Sequence, residues 1–499
     1  MVLAISMMIF TRNSTTNLFP LILGLFFEIG GTSSRVINTL SNAGASVSVS
    51  TIERLKKILS DDAKRHAVEL MKSDLPFFNL LDNINIFLRK SEQRLFNKNT
   101  MLNATNVVII GLPNATPEAE DLQQKLASRG KRSLATGEDI LPTEEDNEKM
   151  FGSFEGLIIQ FIVAYCPGSE KWGERQEMMD YARTLMAKDR PLEPTKTDTR
   201  PLGVFDVNEG SKMGMIKVLK AIQEASGLTE EQWSGKTRII AGDWLTASNF
   251  RGARRDRSSD VDSMERLEYG EELSQLFHFA LNATHMLMRL HFGNAILDPG
   301  SLAKHKGLLN RTWDAAKPNY ADGKALIRHS LIARVLYSIM CYANPVSALN
   351  AKKFEDDVAA HLIYFIRDAL IFCEFEDAVS HADAGRVLRV LKFWAFSFRG
   401  AGLHNYAREC LEIVLRWKYE LTPSLQAALE QSWFVNRWGL SGRWIASDLY
   451  LEQLNFWVKV CYQQTRWGIC RANHEKIGFV NVDSVSLLPK APACPSITS

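Results

Sequence analysis

The chain has 499 residues, a formal net charge of +2, 46% hydrophobic and 23% charged residues, the balance of a soluble globular protein with a large core. Length alone allows two to four domains at ~100 to 200 residues each, and so small a net charge says little about partners. The seven cysteines are odd in number and scattered, which fits an intracellular, reducing setting and excludes a secreted disulfide framework. Cys461, Cys470 and His474 match no compact zinc-site spacing and read as packing.

The chain opens with "MVLAISMMIFTRNSTTNLFPLILGLFFEIGG". Its apolar run, Leu18 to Phe27, is about half a membrane span and lacks the flanks of a signal peptide. It predicts a buried core helix or the remnant of a longer gene model, with no membrane partner. Two helices follow around Gly44. Ser50 and Glu53 read as a capping box, and the second helix, Thr51 to Leu59 with Arg54, Lys56 and Lys57, fits either a plain helical hairpin or a helix-turn-helix. Residues 1–75 are thus expected to be an N-terminal helical region.

"LPFFNLLDNINIF" reads as a buried strand with Asp82 near its end, and "NVVIIGLP" as a neighbouring strand. Polar, acidic and proline-containing stretches make 111–200 a loop insertion, within which "SFEGLIIQFIVAYC" is helical. "PLGVFDV", "SKMGMIKVLKAIQEASG" and "TRIIAGD" form a strand–helix–strand unit, which predicts parallel pairing and places Asp243 at the carboxyl end of a strand, where α/β sheets bind ligands. The expected α/β core covers 76–262. From Ser263 the pattern is helical throughout, so 263–430 should be a separate helical insertion; 431–478 should return a helix to the core, and 479–499 should be a flexible tail.

The residues that suggest chemistry are few. Asp82 and Asp243 stand on separate strands, and Asp448, Glu452, Asn455 and Lys459, spaced four, three and four, share one face of the returning helix. Carboxylates from separate elements are what two-metal phosphoryl transfer needs, and hard oxygen ligands suit Mg2+ or Mn2+. Asp82, Asp243 and Glu452 are the metal-ligand and catalytic candidates, with Glu409 and Asp448 as alternatives for the third position. Asp82 read as a turn residue and Asp243 read as a helix cap are the bland alternatives. Arg251, Arg254, Arg255 and Arg257, with Lys459, are candidates for nucleic-acid phosphates, or else a solvated face. His278 and His285, among phenylalanines and methionines, read as packed.

The stretches "GTSSRVINTLSNAGASVSVSTI", "LLDNIN", "RPLGVFDVNEGS", "AGDWLTASNFRGARRDR", "LFHFALN", "FRGAGLHNYARECL" and "VNRWGLSGRWIASDLYLEQLNFWVK" resemble domain of unknown function 6589, a basidiomycete fungal family with no established activity, over nearly the whole chain. Its layout resembles that of DDE-type transposases, in which a helical insertion interrupts a ribonuclease H-like mixed sheet with flanking helices. The resemblance implies a nuclear, Mg2+-dependent nuclease or strand transferase acting on DNA, or a domesticated, non-catalytic protein that binds DNA or protein; a homo-oligomer is left open.

Overall fold

The computed structural model describes residues 1–88, 98–298, 300–316, 318–341 and 357–464. Five strands, β1 (Phe77–Leu88), β2 (Thr100–Gly111), β3 (Thr199–Phe205), β4 (Arg238–Gly242) and β5 (Gly270–Ser274), form one mixed sheet in the order β3-β2-β1-β4-β5. β1 and β2 are antiparallel, with Asp82 opposite Asn106, and β3 is antiparallel to β2. β4 lies parallel to β1, Phe78 beside Ile239 and Leu80 beside Ala241, and β5 is parallel to β4.

Residues with apolar character on both faces make β1 a central strand, because each face must meet a layer of helices. Phe78, Leu80 and Ile84, with Val108 and Ile110, point into one core. Phe77 and Leu81, with Val107 and Ile109, point into the other, against Ile216, Leu219 and Phe250. The second face is covered by the helices Val49–Met71, Lys212–Ser226 and Trp244–Asp256, through Ala67, Leu70, Met215 and Ala253 among others.

Three expectations change here. The strand–helix–strand unit of β3, Lys212–Ser226 and β4 does run in one direction, but β2 and β1 lie between its two strands. Spacing sets the crossover; the more buried β1 takes the seat beside β4. A fifth strand, β5, stands where only helix is expected, since its adjacent Glu271 and Glu272 disguise an edge strand as a polar segment. Nor does the helical half have a core of its own: one apolar cluster runs from Phe78 and Leu80 of the sheet through Phe154 and Phe279 to Phe365, Trp394 and Trp433.

A short hairpin, β6 (Phe434–Val435) with β7 (Ile445–Ala446), turns the chain back from this helical mass. Ser447 then ties the start of the Ser447–Gln464 helix to Ser432 and Trp433 by hydrogen bonds from its Oγ and amide. This helix lies against β1, as its spacing of polar residues suggests.

At the amino end, the Leu18–Ile29 helix buries Leu25 with Ile37, Val47 and Ile52, but leaves Leu18 and Phe26 exposed, so it is only half a core helix. The fourth helix is capped by Ser48, whose hydroxyl accepts from the Thr51 amide, not by Ser50. It continues to Met71 and packs on the sheet, and Lys56 on it is paired with Glu28 and Glu53. Among the described residues no helix is long and apolar enough to cross a membrane. Cys470, His474 and the tail 479–499 lie outside the described residues, as does the Cys461 side chain.

Candidate functional site

The site stands at the carboxyl end of β4, beside the middle of β1. β4 stops at Gly242, and extending its register with β1 two positions past Leu80 and Ala241 sets Asp82 level with Asp243. Asp82 itself is in mid-strand, because β1 runs on to Leu88 along β2 alone. Gly242 has no side chain for a reason: a Cβ there would lie 2.6 Å from Thr246 Cγ2. The chain therefore turns tightly into the Trp244–Asp256 helix, and Asp243 caps it, Oδ1 accepting from the Thr246 amide at 2.7 Å.

The returning helix supplies the opposite wall. Asn455 Nδ2 donates to Asp82 Oδ2 at 2.6 Å, and Asn106 Nδ2, from the facing strand, donates to Asn455 Oδ1 at 2.7 Å. This buried relay fixes the Asp82 carboxyl. One turn before Glu452, Asp448 is fully engaged. Its Oδ1 accepts from the Phe277 amide at 2.9 Å, and its Oδ2 accepts from the His278 amide at 3.1 Å and lies 3.0 Å from His278 Nδ1. Asp448 thus caps the first turn of the Leu276–His291 helix, whose own cap position, Gln275, supplies no side-chain bond. Glu452, on the same helix, stays part-exposed.

A residue that sequence reasoning did not single out completes the group. Glu209 lies between β3 and the Lys212–Ser226 helix and is 2% exposed. Its Oε1 accepts from Thr246 Oγ1 at 3.0 Å, while its Oε2 is buried without a partner. Gly214 lets this loop close, since a Cβ there would lie 1.8 Å from the Asn208 carbonyl oxygen.

Crowding of acids shows in the proton affinities. Loss of solvation, then the charges of Glu452, Asp243 and Asp448, push the Asp82 carboxyl up to about 8, against the pull of His278. Part of its surface remains accessible. Burial raises Glu209 well above the carboxylate range, with the charges of Asp82 and Asp243 adding to it. Burial alone would lower His278; the Asp448 hydrogen bond and charge, with Asp243 and Asp82, outweigh it and hold the imidazole up to about 9. His278 therefore faces the acids, where the sequence suggests only packing. Nothing in its local sequence marks this, because Asp448 is 170 residues away.

The arginines after Asp243 have internal partners. Arg251 pairs with Glu409, and Arg254 Nη1 donates to Glu272 Oε2 at 2.8 Å. Arg257 pairs with Glu265, and only Arg255, its side chain 81% exposed, is turned to solvent. Arg416 joins Glu271 and donates to the Glu272 carbonyl at 2.9 Å. These cations neutralise the two glutamates of β5, so the arginine run chiefly fastens an edge strand to the helical half. Glu409 is held by Arg251 and by Ser274 Oγ at 2.6 Å; its charge is not among those that act most on Asp82.

Oxygens crowded enough to retain protons, one of them an orphan, suit a hard dication. In the present conformation, however, no group of three or more His, Cys, Asp or Glu among the described residues is arranged to hold a metal ion. Asn455 holds Asp82, and Thr246 holds both Asp243 and Glu209, by hydrogen bonds, and closing on a cation would require those carboxylates to turn.

Fold and site together define an α/β protein with a mixed five-stranded sheet, flanking helices and an acidic sheet edge closed by a returning helix. The chain belongs to the family of unknown function DUF6589, whose model matches residues 129–354 and 342–477. The match is thus less than the nearly whole-chain resemblance expected: Asp243, Glu209 and Glu452 fall inside it, and Asp82 precedes it. Neither curated proteins nor solved structures give a match.

Proposed function

We propose that this chain is a transposase-like protein with a ribonuclease H-like core, carrying out divalent-metal-dependent phosphoryl transfer on DNA. One observation carries the reading: a carboxylate at the carboxyl end of β4 stands level with one in the middle of the adjacent parallel strand β1, just past the stretch the two strands share, and a third, reached only after a long helical insertion, acts on the first. The strand order, with β1 antiparallel to β2 and parallel to β4, supports the ribonuclease H-like layout by analogy.

Asp82, Asp243 and Glu452 would hold Mg2+ or Mn2+. The bound cation would lower the pKa of an attacking water and stabilise charge on the phosphoryl oxygens. Asn455 orients Asp82, and the His278 imidazolium lends positive charge to the same edge. Arg255 and Lys459 are the candidates left for DNA phosphates, with the nucleus as the place of action. The test is incubation of the purified full chain with labelled DNA and Mg2+ or Mn2+: nicking or strand transfer is expected, and its loss in Asp243→Asn.

A second reading, a domesticated, non-catalytic DNA- or protein-binding protein, is favoured by the lack of a ready-made three-ligand arrangement among the described residues. DNA binding without cleavage, unaffected by Asp243→Asn, would support it.

A further inference from the structure

The loop between β6 and β7, within "NRWGLSGRW", exposes two large apolar side chains, Trp438 at 62% and Leu440 at 57%. It is nevertheless fixed from within. Asn436, fully buried, accepts through Oδ1 from the amides of Trp438 at 3.2 Å, Gly439 at 2.9 Å and Leu440 at 3.3 Å, and donates from Nδ2 to the Leu440 carbonyl at 2.9 Å. Its own amide donates to Thr197 Oγ1 at 2.8 Å, and its carbonyl accepts from the Thr197 amide at 2.9 Å, which pins the loop to the segment before β3. The Trp438 ring is held as well. The Arg437 guanidinium lies 5.6 Å from the Trp438 ring centroid and 5.9 Å from that of Tyr450, within cation–π range of both. Tyr450 is buried, and its hydroxyl is 3.0 Å from Thr199 Oγ1 on β3. Tyrosine, arginine and tryptophan thus form a series from the sheet outward, and its last ring is open to solvent.

A large ring left in water on a rigid loop has the form of a stacking platform: every base has a π face, and a loop already ordered loses little freedom on binding. Charge narrows the partner. Arg443 and Lys196 are exposed beside the ring. The Arg443 amide closes the loop on the Leu440 carbonyl at 3.3 Å, and Gly439 passes so near Lys196 that a Cβ there would lie 3.0 Å from its amide nitrogen. A ring among cations fits an unpaired nucleotide, base on the ring and phosphate at the cations. Resting on the DNA reading above, we propose that Trp438 is a stacking site for an unpaired base of single-stranded DNA, with Arg443 and Lys196 at the adjoining phosphates. The platform lies apart from the acids. Thr199, which meets the Tyr450 hydroxyl, pairs with Ile110 near the amino end of β1, whereas Asp82 faces Asn106. Tyr450 stands five residues before Asn455 on the same helix, about 7.5 Å along its axis, so one helix ties the platform to the acidic edge.

Binding of labelled oligo(dT) and of labelled duplex to the full chain, measured by fluorescence anisotropy in chelator, tests this apart from any metal or cleavage. Wild type should bind oligo(dT), and Trp438→Ala should bind it about five- to hundredfold more weakly, the range for losing one stacked base, while Trp438→Phe keeps most of the affinity. Arg443→Ala should lower the salt slope by about 0.7, the share of one phosphate on a single strand. Trp438→Ala that binds oligo(dT) as wild type does overturns the platform and leaves the DNA reading standing, as does wild type that binds duplex but not oligo(dT); wild type that binds neither overturns both. Photocross-linking of bromodeoxyuridine-substituted oligo(dT) to the wild type reads the site without a variant. An adduct on Trp438 supports the assignment, and adducts only elsewhere refute it.

Discussion

Replacing Asp82 by asparagine should stabilise the metal-free protein, and only at the alkaline side. The folded carboxyl is raised from 3.8 to about 8, so below pH 4 it is neutral in both the folded and unfolded chain. Between pH 4 and 8 the unfolded chain releases a proton that the folded one keeps, and stability is lost as pH rises through that window. Four pK units amount to about 6 kcal/mol as an upper limit, and the accessible part of the carboxyl reduces this to about 3 kcal/mol. Asparagine does not titrate, and its amide oxygen can still accept from Asn455. In chelator, the melting temperature of Asp82→Asn relative to wild type should therefore be near zero at pH 4 and rise to about 3 °C at pH 8, on the entropy expected for a chain of this length. A difference that does not change with pH, or a variant less stable at pH 8, would refute the crowded-acid description of the site.

Asp448→Asn should lower the His278 pKa from about 9 toward its ordinary 6.5, read by NMR titration of the imidazole. In wild type the stabilisation from this raised histidine is complete below pH 6.5 and disappears as pH passes 9, and the variant should lose that dependence. Arg416→Met leaves Glu271 and the Glu272 carbonyl short of a buried cation, a loss of about 3 to 5 kcal/mol, whereas exposed Arg255→Ala should change stability by less than about 0.5 kcal/mol; thermal melts that rank the two equally would contradict the fastening role of the arginines. Mn2+ binding near pH 7 should release protons, because the Asp82 carboxyl retains one up to about pH 8; titrations in buffers of different ionisation enthalpy measure this, and no dependence on buffer would count against it.

Local pattern accounts for what could be read in the sequence. Apolar runs with β-branched residues mark β1 to β4, and the four-three-four spacing from Asp448 to Lys459 puts Asn455 on the face that meets Asp82. Asp243 at a strand end follows from Gly-Asp after "RIIA". What is hidden depends on partners far along the chain: Asn455 is 373 residues from Asp82, and Thr246 is 37 from Glu209. Strand order is equally non-local, so direction is legible in the β3–helix–β4 unit and adjacency is not. The arginines are visible as charge, but charge does not name its partner. Glu272, 18 residues beyond Arg254, supplies it from a strand whose glutamates conceal it.

Metal-dependent chemistry on DNA is tested most directly by single-turnover cleavage of labelled duplex with the wild type, Asp82→Asn, Asp243→Asn and Glu452→Gln, in Mg2+, in Mn2+ and in chelator. The expected result is cleavage or strand transfer by wild type in either metal, none in chelator, and loss in all three variants while their folds persist. Wild type that leaves the DNA intact in both metals, or variants that cut as wild type does, would contradict a phosphoryl-transfer centre at this sheet edge.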